Sequence, residues 1–193
     1  MRASRASSEL SDPGAAGWSS VESEVLTLAP VPLDAQPTDY IRAAWADRTY
    51  GKVGQVTAAA AHDGESLYVR LEWAGSDAEG GEFPDAAALL VPTDDASPAS
   101  TMGSADHPVE VAYWRANLSQ AKALLSCGPG VVAPAGDGVA AAASGEGGRW
   151  AVVLRRPLGD TGRVGVAVWD GSNEERAGIG AVTPEWVSLD VER

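Results

Sequence analysis

The chain has 193 residues, a formal net charge of −13 and a pI near 4.4, with 45% hydrophobic residues. That apolar content supports one folded domain, and the acid excess excludes nucleic acid and an anionic membrane surface as partners. One cysteine (Cys127) and two histidines (His62, His107) exclude an internal disulfide, a cysteine zinc site, an iron–sulfur cluster and a histidine-rich metal centre within this chain.

Residues 1–25, rich in Ser and Ala, read as a loose N-terminal arm ahead of a single β-sandwich domain over 26–193. The opening MRASRASSELSDPGAAGW carries two arginines but no apolar core behind them, so it does not read as a secretory signal. No stretch is long and apolar enough to predict a membrane span. Pro30, Pro32 and Pro37 predict an extended course for 26–45 rather than a helix.

Residues 54–73 predict a hairpin: a strand, the turn HDGE, and a second strand in which Leu67, Val69, Leu71 and Trp73 alternate with Ser66, Tyr68, Arg70 and Glu72. DAAALLVP (85–92) is a short apolar run closed by proline, and PVEVAYWRA (108–116) alternates again. NLSQAKALLS (117–126) is the best helical segment, with Leu118, Ala121 and Leu125 at helical spacing. The Gly/Ala-rich 128–148 predicts loops with brief strands, and 149–158, 162–170 and 185–191 predict three further strands. Short strands between Gly, Pro and Asp turns make the fold class mainly β, an antiparallel β-sandwich with short helices.

The chain shows no nucleophile elbow, phosphate loop or dinucleotide fingerprint. Glu82 and Asp85 are two nearby carboxylates, but among 27 acidic residues such a pair arises by chance. Met102, the only internal methionine, is placed oddly: a soft thioether in polar turn sequence, STMGSADHP, just before a strand.

Several stretches, in collinear order, resemble the haem b-binding gamma subunit of type II dimethyl-sulfoxide-reductase-family molybdoenzymes. That group serves ethylbenzene and dimethyl sulfide dehydrogenases, chlorate and selenate reductases and nitrite oxidoreductase. The stretches include DPGAAGW (12–18), PLDAQPTDYIRAAW (32–45), HDGESLYVRLEW (62–73) and FPDAAALLVP (83–92). MGSADHPVEVAYWRAN (102–117) and VGVAVWDGSNEERAG (164–178) are the most specific, and WAVVLRRPL (150–158) and VTPEW (182–186) complete the set. The resemblance implies a carbohydrate-binding-module-like sandwich that holds one haem b. It also implies a non-catalytic electron-transfer subunit between an iron–sulfur subunit and an external cytochrome or quinone-linked carrier, in a complex with a molybdenum-cofactor catalytic subunit. Location follows from the partners: outside the cytoplasm by co-export with a signal-bearing subunit, or in the cytoplasm.

In the family the iron is held by a methionine, which falls on Met102 here, and by a lysine, whose place falls near Gly180 in ERAGIGAVTPEW (175–186). No lysine follows Lys122, and arginine offers iron no lone pair. Three outcomes stay open: five-coordinate haem on Met102 alone, a second ligand from another loop, or a haem-free structural subunit. His107 suits iron chemically but lies five residues from Met102; His62 reads as a turn residue and Lys122 as a surface charge. Arg155 and Arg156 could pair haem propionates or serve surface pairing, and the seven tryptophans read mostly as core. A different class, a carbohydrate-binding sandwich, would need an exposed aromatic platform.

Overall fold

The computed structural model describes residues 1–6, 8–75 and 82–192. In chain order the elements are β1 (Arg2–Arg5), 3-10 turns at Ser8–Ser11 and Ala16–Ser20, β2 (Ser23–Thr27), β3 (Ala29–Pro30) and helix α1 (Asp39–Trp45). The strands β4 (Gln55–His62), β5 (Ser66–Ala74), β6 (Ala86–Pro92), β7 (Val109–Arg115), β8 (Lys122–Ser126), β9 (Val132–Pro134) and β10 (Ala140–Glu146) follow. Then come β11 (Arg149–Pro157), β12 (Arg163–Trp169), β13 (Ala181–Val182), β14 (Val187–Ser188) and β15 (Asp190–Val191).

These strands form two packed sheets, the β-sandwich that the alternation predicts. The first runs β10-β11-β5-β4-β1-β15, with β2 also on β4; the second runs β3-β13-β12-β6-β7-β8-β9, with β14 on β12. All pairings are antiparallel except those of β1, which runs parallel to both β4 and β15. Because side chains alternate along each strand, every central strand contributes to two different layers. Leu67, Val69, Leu71 and Trp73 of β5 meet Val152 and Leu154 of β11 on the inner face of the first sheet. Ala87 and Leu89 of β6, Ala112 and Trp114 of β7, and Val164, Val166 and Val168 of β12 meet them from the second. Trp114 bridges the sheets, edge-on to Trp150 at 5.0 Å and to Trp73 at 6.3 Å between ring centres. Each such buried aliphatic side chain contributes about 1.5–3 kcal/mol, so this layer is the main hold on the fold.

Three expectations are corrected. The N-terminal segment is not loose: Arg2–Arg5 pair with Ala60–His62 and Asp190–Val191, and Leu10 and Trp18 pack on the sheet behind them. Residues 39–45 are helical, not extended. The prolines end at Pro37, and Thr38 then caps α1 by accepting the Ile41 N–H. The predicted helix over 117–126 is instead a turn followed by strand β8. A helix that short is marginal in water, whereas as a strand 122–126 pairs with β7 from Val109 to Tyr113. Predicted strand 185–191 divides at Leu189, β14 joining β12 and β15 joining β1.

Candidate functional site

The outer face of the second sheet carries the alternate residues of the same strands: Ala86, Ala88 and Leu90, then Val109 and Val111, then Ala167 and Trp169. Met102 lies on this face, 4% exposed, on the loop between β6 and β7. That loop is tied at its base. Thr93 Oγ1 and Ser97 Oγ both donate to the Pro108 carbonyl, at 2.7 and 2.9 Å, and Trp186 Nε1 donates to the Ser97 carbonyl at 2.7 Å.

Within the loop the Met102 N–H donates to Ala99 O and the Gly103 N–H to Pro98 O, at 2.9 and 2.8 Å. This paired bonding is the one that closes helical turns, with the penultimate residue left-handed and usually glycine. Here that residue is Met102, at φ 55°, with Gly103 at φ 93° after it. A side chain in this conformation costs about 1–2 kcal/mol. A Cβ on Gly103 would lie 2.6 Å from the Ser126 carbonyl, so glycine is required there. Ser126 Oγ, buried, donates to the Met102 carbonyl at 2.6 Å and fixes the loop to β8. The chain thus uses methionine where glycine is locally better, which points to a role for the side chain rather than the turn.

The thioether lines a hollow of about 280 Å³. Val111, Tyr113, Leu124 and Trp169 form its apolar walls; Lys122, Ser126, Gly130, Val132 and Ala177 complete the lining. Tyr113 stands edge-on to Trp169, 5.7 Å between ring centres. Burial raises the Tyr113 phenol above its ordinary range, against a smaller opposing effect of the Arg115 charge, so it stays neutral near pH 7. Arg115 belongs to the same face of β7, and its Nε has no hydrogen-bond partner among the described residues. The hollow opens beside Val131 and Val132, 46% and 54% exposed.

The second wall is the 170–180 loop, and its polar residues are structural. Glu175, 1% exposed, accepts from the Asp170 and Lys52 N–H groups and from Asn173 Nδ2, at 3.0–3.1 Å. Trp169 Nε1 donates to Ala177 O at 2.9 Å, and Gln36 Nε2 to Gly178 O at 2.8 Å. Gly180 lies behind this wall. A Cβ there would sit 2.6 Å from Trp169 Cδ1, so the position has neither a donor nor room for a lysine with the indole in place.

The other sequence candidates are elsewhere. His107 Nδ1 is 3.0 Å from Asp94 Oδ2 on the exposed side of the loop, and His62 is buried in β4 of the other sheet. Arg156 reaches across the sandwich to Glu110 at 2.6 Å, and Arg155 is on β11, so neither lines the hollow. Asp85 is fully buried and accepts from Trp150 Nε1 and the Gly171 N–H, whereas Glu82 is exposed. The two are not a catalytic pair. Lys122 was hidden by the helical reading. Its signal is Lys122, Leu124 and Ser126 at period two, which a strand places on one face.

The sequence profile described as Ethylbenzene dehydrogenase matches residues 15–133. The chain belongs to this family. A putative respiratory nitrate reductase heme subunit of Haloferax mediterranei is 38% identical over 63% of this chain and 50% of its own length. The chlorate reductase subunit gamma of Ideonella dechloratans is 34% identical over 64% and 59%. The dimethylsulfide dehydrogenase subunit gamma of Rhodovulum sulfidophilum is 28% identical over 66% and 57%. The match to these curated relatives thus spans between half and three-fifths of their length. In solved structures the fold is similar to a family 9 carbohydrate binding module from Caldicellulosiruptor kristjanssonii in complex with glucose. The TM-score is 0.53 at 12% identity, over 100% of this chain and 95% of that one. The same module with cellotriose gives 0.51. The chain therefore joins membership of this family to a carbohydrate-binding-module-like β-sandwich fold, as the sequence resemblance implies.

The residues in the hollow suit a haem. A soft sulfur donor and aromatic and aliphatic walls match iron and macrocycle in turn; Arg115, on the same face of β7, is outside the lining. The volume is just below the usual range for ligand pockets, so a haem would fill the hollow only in part and would project past the exposed Val132.

Proposed function

We propose that the chain is an accessory electron-transfer subunit that holds one haem b through the Met102 sulfur. It would work beside a molybdenum-cofactor catalytic subunit and an iron–sulfur subunit, exchanging electrons with an external carrier. The observation that carries this reading is Met102 itself, held left-handed at the edge of an apolar hollow where glycine would suit the turn. The names of the relatives, a heme subunit and gamma subunits of a reductase and a dehydrogenase, support it.

Haem bound here would supply one-electron redox chemistry, and a thioether ligand favours the reduced iron and raises its potential. The chain's own part is to bind and to exclude water. Ser126 and the Pro98–Ala99 carbonyls fix the Met102 backbone, so the sulfur is presented without reorganisation. Tyr113 and Trp169 keep the surroundings apolar. The sequence holds no recognisable catalytic constellation, which favours a relay over an enzyme.

A haem-free structural subunit is the second reading, favoured by the blocked Gly180 position. Purified chain mixed with one equivalent of haem b and passed through a desalting column separates the two. Retained haem with a b-type α band on reduction supports the relay. Absence of haem from correctly folded chain rejects it. The carbohydrate-binding alternative lacks its platform: among the described residues the exposed large apolar side chains are Val25, Tyr40, Val131 and Val132, with no tryptophan.

A further inference from the structure

We propose that Lys122 supplies the second axial ligand, from strand β8 rather than from the 175–186 segment; this rests on the haem reading above. Lys122, Leu124 and Ser126 share one face of β8, and all three line the hollow. Ser126 fastens Met102 at one end through its 2.6 Å bond to the Met102 carbonyl. Lys122 stands four residues away at the other end, roughly 13 Å along the strand. Met102 and Lys122 thus line the two ends of one hollow with Leu124 between them, the first offering a buried thioether and the second, exposed at the start of β8, an amine on a flexible stem.

The remaining donors of the hollow are weaker. The Tyr113 phenol is held neutral by burial, and the Ser126 hydroxyl is spent on the Met102 carbonyl. Lys122 makes no ion pair among the described residues, so its amine is not committed to a carboxylate. Only one other lysine exists, Lys52, and it does not line the hollow. Ligation is balanced simply: the ammonium releases one proton to solvent, and the freed nitrogen lone pair forms the bond to iron.

The test uses the full chain loaded with one equivalent of haem b, read by ferric optical and electron paramagnetic resonance spectra. Wild type should be six-coordinate and low-spin. Lys122→Arg keeps the stem and the charge but has no lone pair to give, so it should retain haem yet convert to a high-spin form. Added n-butylamine should restore the low-spin spectrum of Lys122→Ala. A low-spin spectrum unchanged by Lys122→Arg would overturn the Lys122 assignment and leave the haem reading standing. So would a wild type that binds haem high-spin. A folded wild type that retains no haem would overturn the haem reading itself. Circular dichroism of each variant confirms that the sandwich is intact.

Discussion

The two outer faces of the sandwich are built alike and finished differently. On the first sheet Ala59, Ala61, Tyr68 and Val153 form a small apolar face, and the N-terminal segment closes it with Leu10 and Trp18. The polar edge is closed too: Arg70 donates to Pro13 O at 2.8 Å, and the Tyr68 hydroxyl donates to Asp63 at 2.7 Å. On the second sheet the covering segments bring Val31 and Met102, but coverage stops short of the β8–β9 edge and leaves the hollow. Both faces need a lid because small strand residues alone do not exclude water. Where the lid is complete the face stabilises the fold; where it is incomplete the face keeps an open hollow.

The strongest way to break this comparison is to remove the complete lid. Trp18→Ala is expected to destabilise the chain by about 3–5 kcal/mol, measured by urea unfolding, and to leave haem retention per folded molecule unchanged. A loss below 1 kcal/mol would show that the N-terminal segment is not a structural cover. Gly103→Ala comes next, because its Cβ would meet the Ser126 carbonyl in a left-handed backbone. It should cost roughly 1–3 kcal/mol and should weaken haem retention as well, since the same contact positions Met102. Met102→Leu sharpens the contrast from the other side. The swap nearly conserves volume and should cost under about 1.5 kcal/mol, yet it removes the sulfur, so haem should be lost from a chain of near-normal stability.

The smallest effects are in acid–base behaviour. On the closed side the Ser66 N–H, the Tyr68 hydroxyl and the Glu65 N–H, in that order, hold Asp63 at a pKa of about 2. A depressed carboxylate stabilises above its unfolded pKa. That contribution should fade as pH falls from about 4 toward 2, and Asp63→Asn should abolish the slope. On the open side the hydrogen bond between His107 and Asp94 raises the imidazole pKa and lowers that of the carboxylate. The His107 contribution is present below the unfolded histidine pKa and is lost as pH rises through the raised value. The Asp94 contribution is lost instead as pH falls through the lowered one. The loop clasp should therefore be firmest in mildly acidic solution. Both groups are at the surface, so Thr93–Pro108 amide exchange in wild type and His107→Gln is a more sensitive readout than melting.

Much of this was legible from residues alone. The period-two alternation of Leu67–Trp73 and Val109–Trp114 fixed both central strands, because one face of each had to be buried. Met102 was conspicuous as an apolar side chain in turn sequence. What stayed hidden depended on distant partners. Arg2–Arg5 carries no strand pattern of its own and is ordered only because β4 and β15 flank it. The 122–126 segment satisfies helical and strand spacing alike, and pairing with β7 decides it. That ambiguity concealed the one amine facing the hollow. The obstruction of Gly180 by Trp169 likewise involves residues eleven positions apart, joined only by the turn of the 170–180 loop.

The most direct test of the account is the optical spectrum of the haem-loaded chain after gel filtration, wild type beside Met102→Leu. Wild type should carry about one haem per chain and show a b-type α band when reduced, and Met102→Leu should elute folded with the haem lost. Equal haem content and identical spectra in the two proteins would contradict the claim that the sulfur of Met102 is what this fold was shaped to present.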